Sequence, residues 1–204
     1  MHQPPIVLEC PECGEKYLIS RESNTPSENA TIFSDGFFID ELNWRIPKII
    51  GCVTCELGFF PEKGKIIEKP GWNEFHEKWS QIKKAEPPTA GSLALELRAR
   101  KNIDPMDELA LRLEFWFSGN HTENGRMLLT KNEKFSTFWN ESLMKLENLL
   151  SPNIEDQRLV KAEINRQLKR FDQCISLLSG MNHPMGKSIQ QKAENQISNL
   201  FTFN

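Results

Sequence analysis

Two short stretches of this 204-residue chain have residue types and spacing that could do chemistry: Cys10-Pro11-Glu12-Cys13-Gly14 and Cys52-Val53-Thr54-Cys55. Each is a Cys-x-x-Cys hook. A thiolate is a soft ligand for zinc, and it is also the reactive form of a redox or nucleophilic cysteine. Three chemistries therefore compete: a four-sulfur zinc site on Cys10, Cys13, Cys52 and Cys55, a redox-active pair, and two unliganded pairs. Redox sites of the thioredoxin kind put one such pair between a strand and a helix in a βαβ context, and neither hook is followed by a helical pattern. Four protein sulfurs leave no open coordination position, so the expected ion is one structural zinc rather than a catalytic one.

The elements around the hooks fit that geometry. Ile6-Val7-Leu8 leads into the first hook and Lys16-Tyr17-Leu18-Ile19 leaves it, both with strand-like composition. Pro11 fixes one φ of the turn, and Gly14 can take the positive φ that aims backbone amides at the sulfurs. Trp44-Arg45-Ile46-Pro47-Lys48-Ile49-Ile50 delivers the second hook, and Leu57-Gly58-Phe59-Phe60 leaves it. The 38 residues between Cys13 and Cys52 exceed the usual spacing of a zinc ribbon, and Glu56 stands where the first hook has Gly14. A polar loop over 21–29 and a hairpin, Thr31-Ile32-Phe33 and Phe37-Phe38-Ile39 around a Ser34-Asp35-Gly36 turn, account for the extra length. Turn residues from Pro61 to Gly71 surround a last short strand and set the expected boundary: a zinc-ribbon-like β module over 1–70, then a helical domain over 71–204.

Composition bounds the rest. With 38% hydrophobic and 26% charged residues the chain is globular in type. No apolar run approaches the roughly 20 residues that span a bilayer, and the N-terminus lacks a signal core. The expectation is a cytoplasmic protein with no membrane partner. The formal charge of -3 is unevenly spread, with seven Lys/Arg against eleven Asp/Glu in residues 1–70 and eighteen against seventeen beyond. Four thiolates on one zinc dication would add -2 to the acidic half. That balance disfavours nucleic acid, whose phosphates are bound chiefly by Lys and Arg.

The helical half opens with Trp72, Phe75, Trp79 and Ile82 at spacings of three and four, which predicts an amphipathic helix from Trp72 to about Ala85, ended by Pro87-Pro88. Helices follow from about Ser92 to Lys101 and from Asp104 to about Phe117, the second with Asp104 as N-cap and Pro105 at its first position. Residues 118–125 read as a loop, with His121 solvated there. Phe135, Phe138, Trp139, Leu143, Leu146 and Leu150 mark one long helix. Glu155 to Arg170 and Asp172 to Leu178 form a hairpin of two more.

The run Ala162 to Ile175 resembles the middle of a tetratricopeptide repeat. Ala162 stands at the small position, Phe171 at the aromatic and Cys174 at the alanine, while Lys169 replaces the turn glycine and Asn165 the first-helix aromatic. On that resemblance Cys174 is a small residue at a close helix contact. The whole chain is also similar to a group of uncharacterised bacterial proteins with two Cys-x-x-Cys hooks, Ser-x-Asn-Thr and Ser-Asp-Gly stretches between them, and a repeat-like helical C-terminus. Ser23-Asn24-Thr25, with the x missing, and Ser34-Asp35-Gly36 stand in those places. The resemblance implies architecture rather than activity.

The fold expected is therefore α+β: a small zinc-ribbon-like β module followed by an all-α, tetratricopeptide-like helical-hairpin domain. No glycine-rich phosphate loop, paired-acid constellation or Ser/Cys-His arrangement is present, so an enzyme is not expected. The function expected is a non-catalytic scaffold or adaptor that engages a protein partner through its helices, with a homo-oligomer left open. The alternative is a nucleic-acid accessory ribbon using Lys161, Arg166, Lys169 and Arg170.

Overall fold

A computed structural model describes residues 3–21, 26–40, 48–68 and 81–203. The layout is α+β: small sheets carrying the cysteines, followed by helices. Strands β1 (Gln3–Glu9) and β2 (Lys16–Arg21) form an antiparallel pair with Leu8 opposite Tyr17 and Ile6 opposite Ile19. The period-two alternation buries Ile6, Leu8, Tyr17 and Ile19 beside Cys10 and Cys52, and sends Val7 and Leu18 to the other face against Ile67 and Ile82.

The insertion between the hooks contains the expected hairpin. Strands β3 (Thr31–Phe33) and β4 (Phe38–Ile39) pair antiparallel, with Thr31 opposite Ile39. The amide of Gly36 donates to the Phe33 carbonyl at 2.9 Å. Strands β5 (Ile50–Gly51) and β6 (Gly58–Phe59) flank the second hook, and β7 (Lys65–Glu68) returns to pair with β1. Residues 22–25 and 41–47, which include Ser23-Asn24-Thr25 and the run Trp44 to Pro47, lie outside the described residues, as does the expected boundary at Pro70-Gly71.

The helix expected from Trp72 to Ala85 lies outside the described residues over 71–80, and its end is not helical. Lys83–Lys84 form strand β8, parallel to β2, with Tyr17 opposite Lys83. The Ala85 amide continues the ladder to the Leu18 carbonyl at 2.9 Å. The edge of β2 offers backbone partners at this point, and sheet pairing overrides the apolar spacing that ended at Ile82.

Seven α-helices follow among the described residues: α1 (Ala90–Ala99), α2 (Pro105–His121), α3 (Glu123–Lys131), α4 (Glu133–Leu149), α5 (Glu155–Gln167), α6 (Phe171–Leu178) and α7 (Pro184–Glu194). Asp104 caps α2 as expected, its carboxylate accepting from the Met106 amide at 2.9 Å. The loop expected over 118–125 is corrected. Helix α2 runs on to His121, Thr122 alone breaks the chain, and α3 begins at Glu123. The Thr122 hydroxyl accepts from the Gly125 amide at 2.9 Å, so one N-cap residue does what the polar composition suggested a loop would do. Gly125 is required by close approach: a Cβ there would stand 2.1 Å from the Ser118 carbonyl oxygen.

Two cores hold the helices. Ile49 and Phe60, which flank the second hook, are buried with Ala90, Leu93 and Leu97 of α1, Leu111, Phe115 and Trp116 of α2, and Trp139, Leu143 and Leu146 of α4. Cys174 is fully buried among Leu159, Ala162, Leu178, Ile189 and Ala193 of the last three helices. In the α5–α6 turn Lys169 adopts φ +61°, the left-handed conformation that a glycine would take at no cost. The C-terminal strand β9 (Thr202–Phe203) then pairs with β3, placing the end of the chain against the hairpin inserted between the hooks.

Candidate metal centre

The two hooks have the same backbone. In the first, the Cys10 amide donates to the Glu15 carbonyl at 2.8 Å and the Gly14 amide to the Cys10 carbonyl at 3.0 Å. In the second, Cys52 donates to Leu57 at 2.9 Å and Glu56 to Cys52 at 2.8 Å. The residue after the second cysteine is left-handed in both, Gly14 at φ +75° and Glu56 at φ +61°. The glutamate therefore does not change the turn; it adopts the glycine conformation at a steric cost.

Strand pairing then turns the hooks toward each other. The sulfurs of Cys10, Cys13, Cys52 and Cys55 all lie within 4.8 Å of one another, with Cys13 Sγ 3.5 Å from Cys52 Sγ and Cys10 Sγ 3.9 Å from Cys55 Sγ. All four are free thiols. Across the gap the Thr54 hydroxyl donates to the Glu15 carboxylate at 2.8 Å, a direct tie between the hooks. The four residues expected to share one site are thus brought together.

The donors around Cys52 favour its thiolate. Burial alone would push the Cys52 thiol up, but the Tyr17 hydroxyl and the amides of Cys55 and Thr54 outweigh it and bring Cys52 down to about 6. Burial pushes Cys55 up to about 12 despite the Leu57 amide, and the neighbouring sulfurs push the same way. At Cys13 the Glu15 amide acts downward, yet burial and the sulfurs of Cys52 and Cys10 together raise it. The first negative charge settles on Cys52 and opposes charge on Cys13 and Cys55. A divalent cation reverses that opposition, because a coordinated thiol is deprotonated outright. The donor set therefore fits a metal ion, and the composition of four sulfurs matches zinc or iron.

Tyr17 is the residue that sequence reasoning passed over. It is 1% exposed, its hydroxyl donates to Cys52 Sγ at 3.2 Å, and it accepts from the Val53 amide at 3.0 Å. It lies seven residues after Cys10, and Phe59 lies seven after Cys52. A polar-tipped aromatic in one hook against a plain one in the other was the available signal.

A second polar assembly went unread. His121, expected to be solvated, has a side chain only 8% exposed, with Nε2 lying 2.8 Å from Asp35 Oδ2 and the ring stacked on Phe37 at 4.0 Å. Asn120 donates to the same oxygen at 2.7 Å. Next to Asp35, the Ser34 hydroxyl donates to Glu163 Oε1 at 2.7 Å, and Arg166 Nε donates to Glu163 Oε2 at 2.7 Å. Arg166 also donates to the Ile197 carbonyl and covers the Phe201 ring at 4.9 Å, which fixes the C-terminal segment. The Ser34-Asp35-Gly36 turn thus plugs into the helices.

Of the four basic residues considered for nucleic acid, Lys169 is exposed and the other three are engaged within the helices. Arg166 is fully buried, Lys161 donates to the Glu147 carbonyl at 3.0 Å, and Arg170 pairs with Glu147 at 3.1 Å. Among the described residues no helix is long and apolar enough to cross a membrane. No family model matches the chain, and no curated protein or solved structure matches it.

Proposed function

We propose that the protein is a non-catalytic scaffold or adaptor, stapled by one structural zinc ion on Cys10, Cys13, Cys52 and Cys55, that engages a protein partner through its helices. The observation that carries the reading is the convergence of four free sulfurs within 4.8 Å on two hooks of identical backbone hydrogen bonding. Four protein ligands leave zinc no open position for a substrate, so its contribution is to folding. In small zinc modules that contribution is about 10–16 kcal/mol. Reduced thiolate ligands suit a reducing compartment, which supports a cytoplasmic location.

The α5–α6 hairpin, with its left-handed Lys169 turn and Cys174 packed against Ala162, supports a tetratricopeptide-like pairing of helices. Such pairings are used to bind proteins. Leu95 on α1 and Met106 on α2 are 66% and 71% exposed, apolar side chains that a partner could cover.

Elemental analysis of the purified full chain tests the metal part: one zinc per chain is expected, lost in Cys13→Ser and Cys52→Ser together with the fold of the cysteine region. Stable, metal-free protein, or iron in place of zinc, overturns it. The adaptor part is tested by affinity capture from the native cell. One defined protein at fixed stoichiometry, resistant to nuclease and weakened by Leu95→Glu or Met106→Glu, is expected. Recovery of nucleic acid with a steep salt dependence instead points to the nucleic-acid alternative.

A further inference from the structure

We propose that Tyr17 is a positioning residue of the metal centre, whose hydroxyl holds the Cys52 sulfur across the gap between the hooks and makes Cys52 the least nucleophilic and last-released ligand. This rests on the zinc reading above and adds to it a ranking of the four sulfurs.

The direction of the hydrogen bond is fixed by its neighbours. A phenol has one proton and accepting lone pairs. The Val53 amide, which can only donate, occupies the oxygen from one side at 3.0 Å. The single hydroxyl proton is then free to point at Cys52 Sγ, 3.2 Å away. Tyr17 cannot easily turn elsewhere, because its ring is 1% exposed, in the same core as Leu8, Ile50 and Phe59, with the Phe59 ring 6.1 Å away. It belongs to β2, on the return from the first hook, yet it serves a sulfur and an amide of the second. The contact is therefore a strut between the hooks as well as a donor.

The hooks also supply a control. They share the same two backbone turn bonds, with Pro11 at the position of Val53, and Phe59 occupies in the second hook the position of Tyr17 in the first, without a hydroxyl. Cys10 and Cys52 are equally buried, each 2% exposed. Access therefore does not separate these two sulfurs, and a donor from the side chain of Tyr17 does. Groups that bond a metal ligand from behind fix its orientation, and removing one costs metal affinity about 10–100-fold.

The test uses the zinc-loaded full chain, with a chelator competition for affinity and sub-stoichiometric N-ethylmaleimide followed by peptide mapping for the order of release. In the unmutated protein the exposed Cys13 is expected to react first and Cys52 last, after Cys10. In Tyr17→Phe, zinc stoichiometry stays at one while affinity falls about 10–100-fold and Cys52 reacts no later than Cys10. With cobalt in place of zinc, the thiolate-to-metal charge-transfer band shifts in Tyr17→Phe. Phe59→Leu, which loosens the same core without removing a hydrogen-bond donor, is expected to leave both the band and the order unchanged.

Cys52 reacting before Cys10 in the unmutated protein overturns the proposal whether or not any variant folds. So does a Tyr17→Phe protein with unchanged affinity and order, or a Phe59→Leu protein that shifts the order equally, since the effect would then be packing. Failure of the unmutated chain to take up zinc overturns the metal reading itself, a result distinct from all of these.

Discussion

The cysteine cluster and the polar assembly behind Ser34 and Asp35 are both built from distant parts of the chain, but they balance charge differently. In the assembly, each acid meets donors: Arg166 holds Glu163, both fully buried, and His121 and Asn120 converge on Asp35. The cluster gathers four groups of one kind. The donors that bring Cys52 down to about 6 are a neutral hydroxyl and two amides, while Cys13 and Cys55 are pushed up. A site whose acids already have their donors needs nothing from outside to be stable. Four sulfurs that oppose one another's ionisation are a set that a cation would complete, and that difference separates a structural polar core from a candidate ligand site.

The comparison can be broken most forcefully at the cluster. Cys52→Ser should abolish zinc retention and unfold the cysteine region, a loss on the order of 10 kcal/mol of metal-coupled folding. Zinc content and one-dimensional proton NMR of the methyls of Ile6, Leu8 and Ile50 read the outcome. A folded, metal-free variant would show that the cluster, like the polar assembly, supports itself.

The next largest effect belongs to the buried ion pair. Arg166→Met leaves Glu163 uncompensated at full burial and should cost about 3–5 kcal/mol in urea unfolding of the zinc-loaded protein. Adding Glu163→Gln should recover most of that loss, because removing both charges is far cheaper than stranding one. Asp35→Ala is smaller. It strips an acceptor from His121 and Asn120, and costs about 1–3 kcal/mol. Neither loss should change zinc stoichiometry, and a coupled loss of metal would mean that the two sites are not separate.

The two regions also differ in how far they could be read from residues alone. The hooks announce themselves because ligand spacing is local: two Cys-x-x-Cys pairs with Gly14 after the first and strand residues on either side. The Ser34-Asp35-Gly36 turn was legible as a turn, but nothing local tells whether a turn faces water or a helix core. Glu163 and Arg166, three residues apart, look like an ordinary surface pair. Ser118 to Gly125 is rich in Ser, Gly, Asn and Thr, so it reads as a loop. Its helical state depends on Gly119 lying under the Trp139 indole, which a Cβ would approach to 2.5 Å, and on Thr122 capping the next helix. Lys83–Lys84 became a strand because β2 had an unpaired edge. In each case a partner remote in sequence decided the outcome.

The smallest predicted effect sharpens the comparison within the cluster itself. Glu56 and Gly14 occupy equivalent positions with φ of +61° and +75°. A residue with a Cβ pays roughly 1–2 kcal/mol for the left-handed region, whereas glycine pays almost nothing there but loses more freedom on folding. Glu56→Gly should therefore stabilise the zinc-loaded protein by about 0.5–1 kcal/mol, and Gly14→Ala should destabilise it by a similar or larger amount. Paired urea midpoints measure both. The opposite sign at Glu56 would mean that its side chain contributes more at the mouth of the second hook than the strain it carries, and that the two hooks, alike in backbone, are not equivalent in energy.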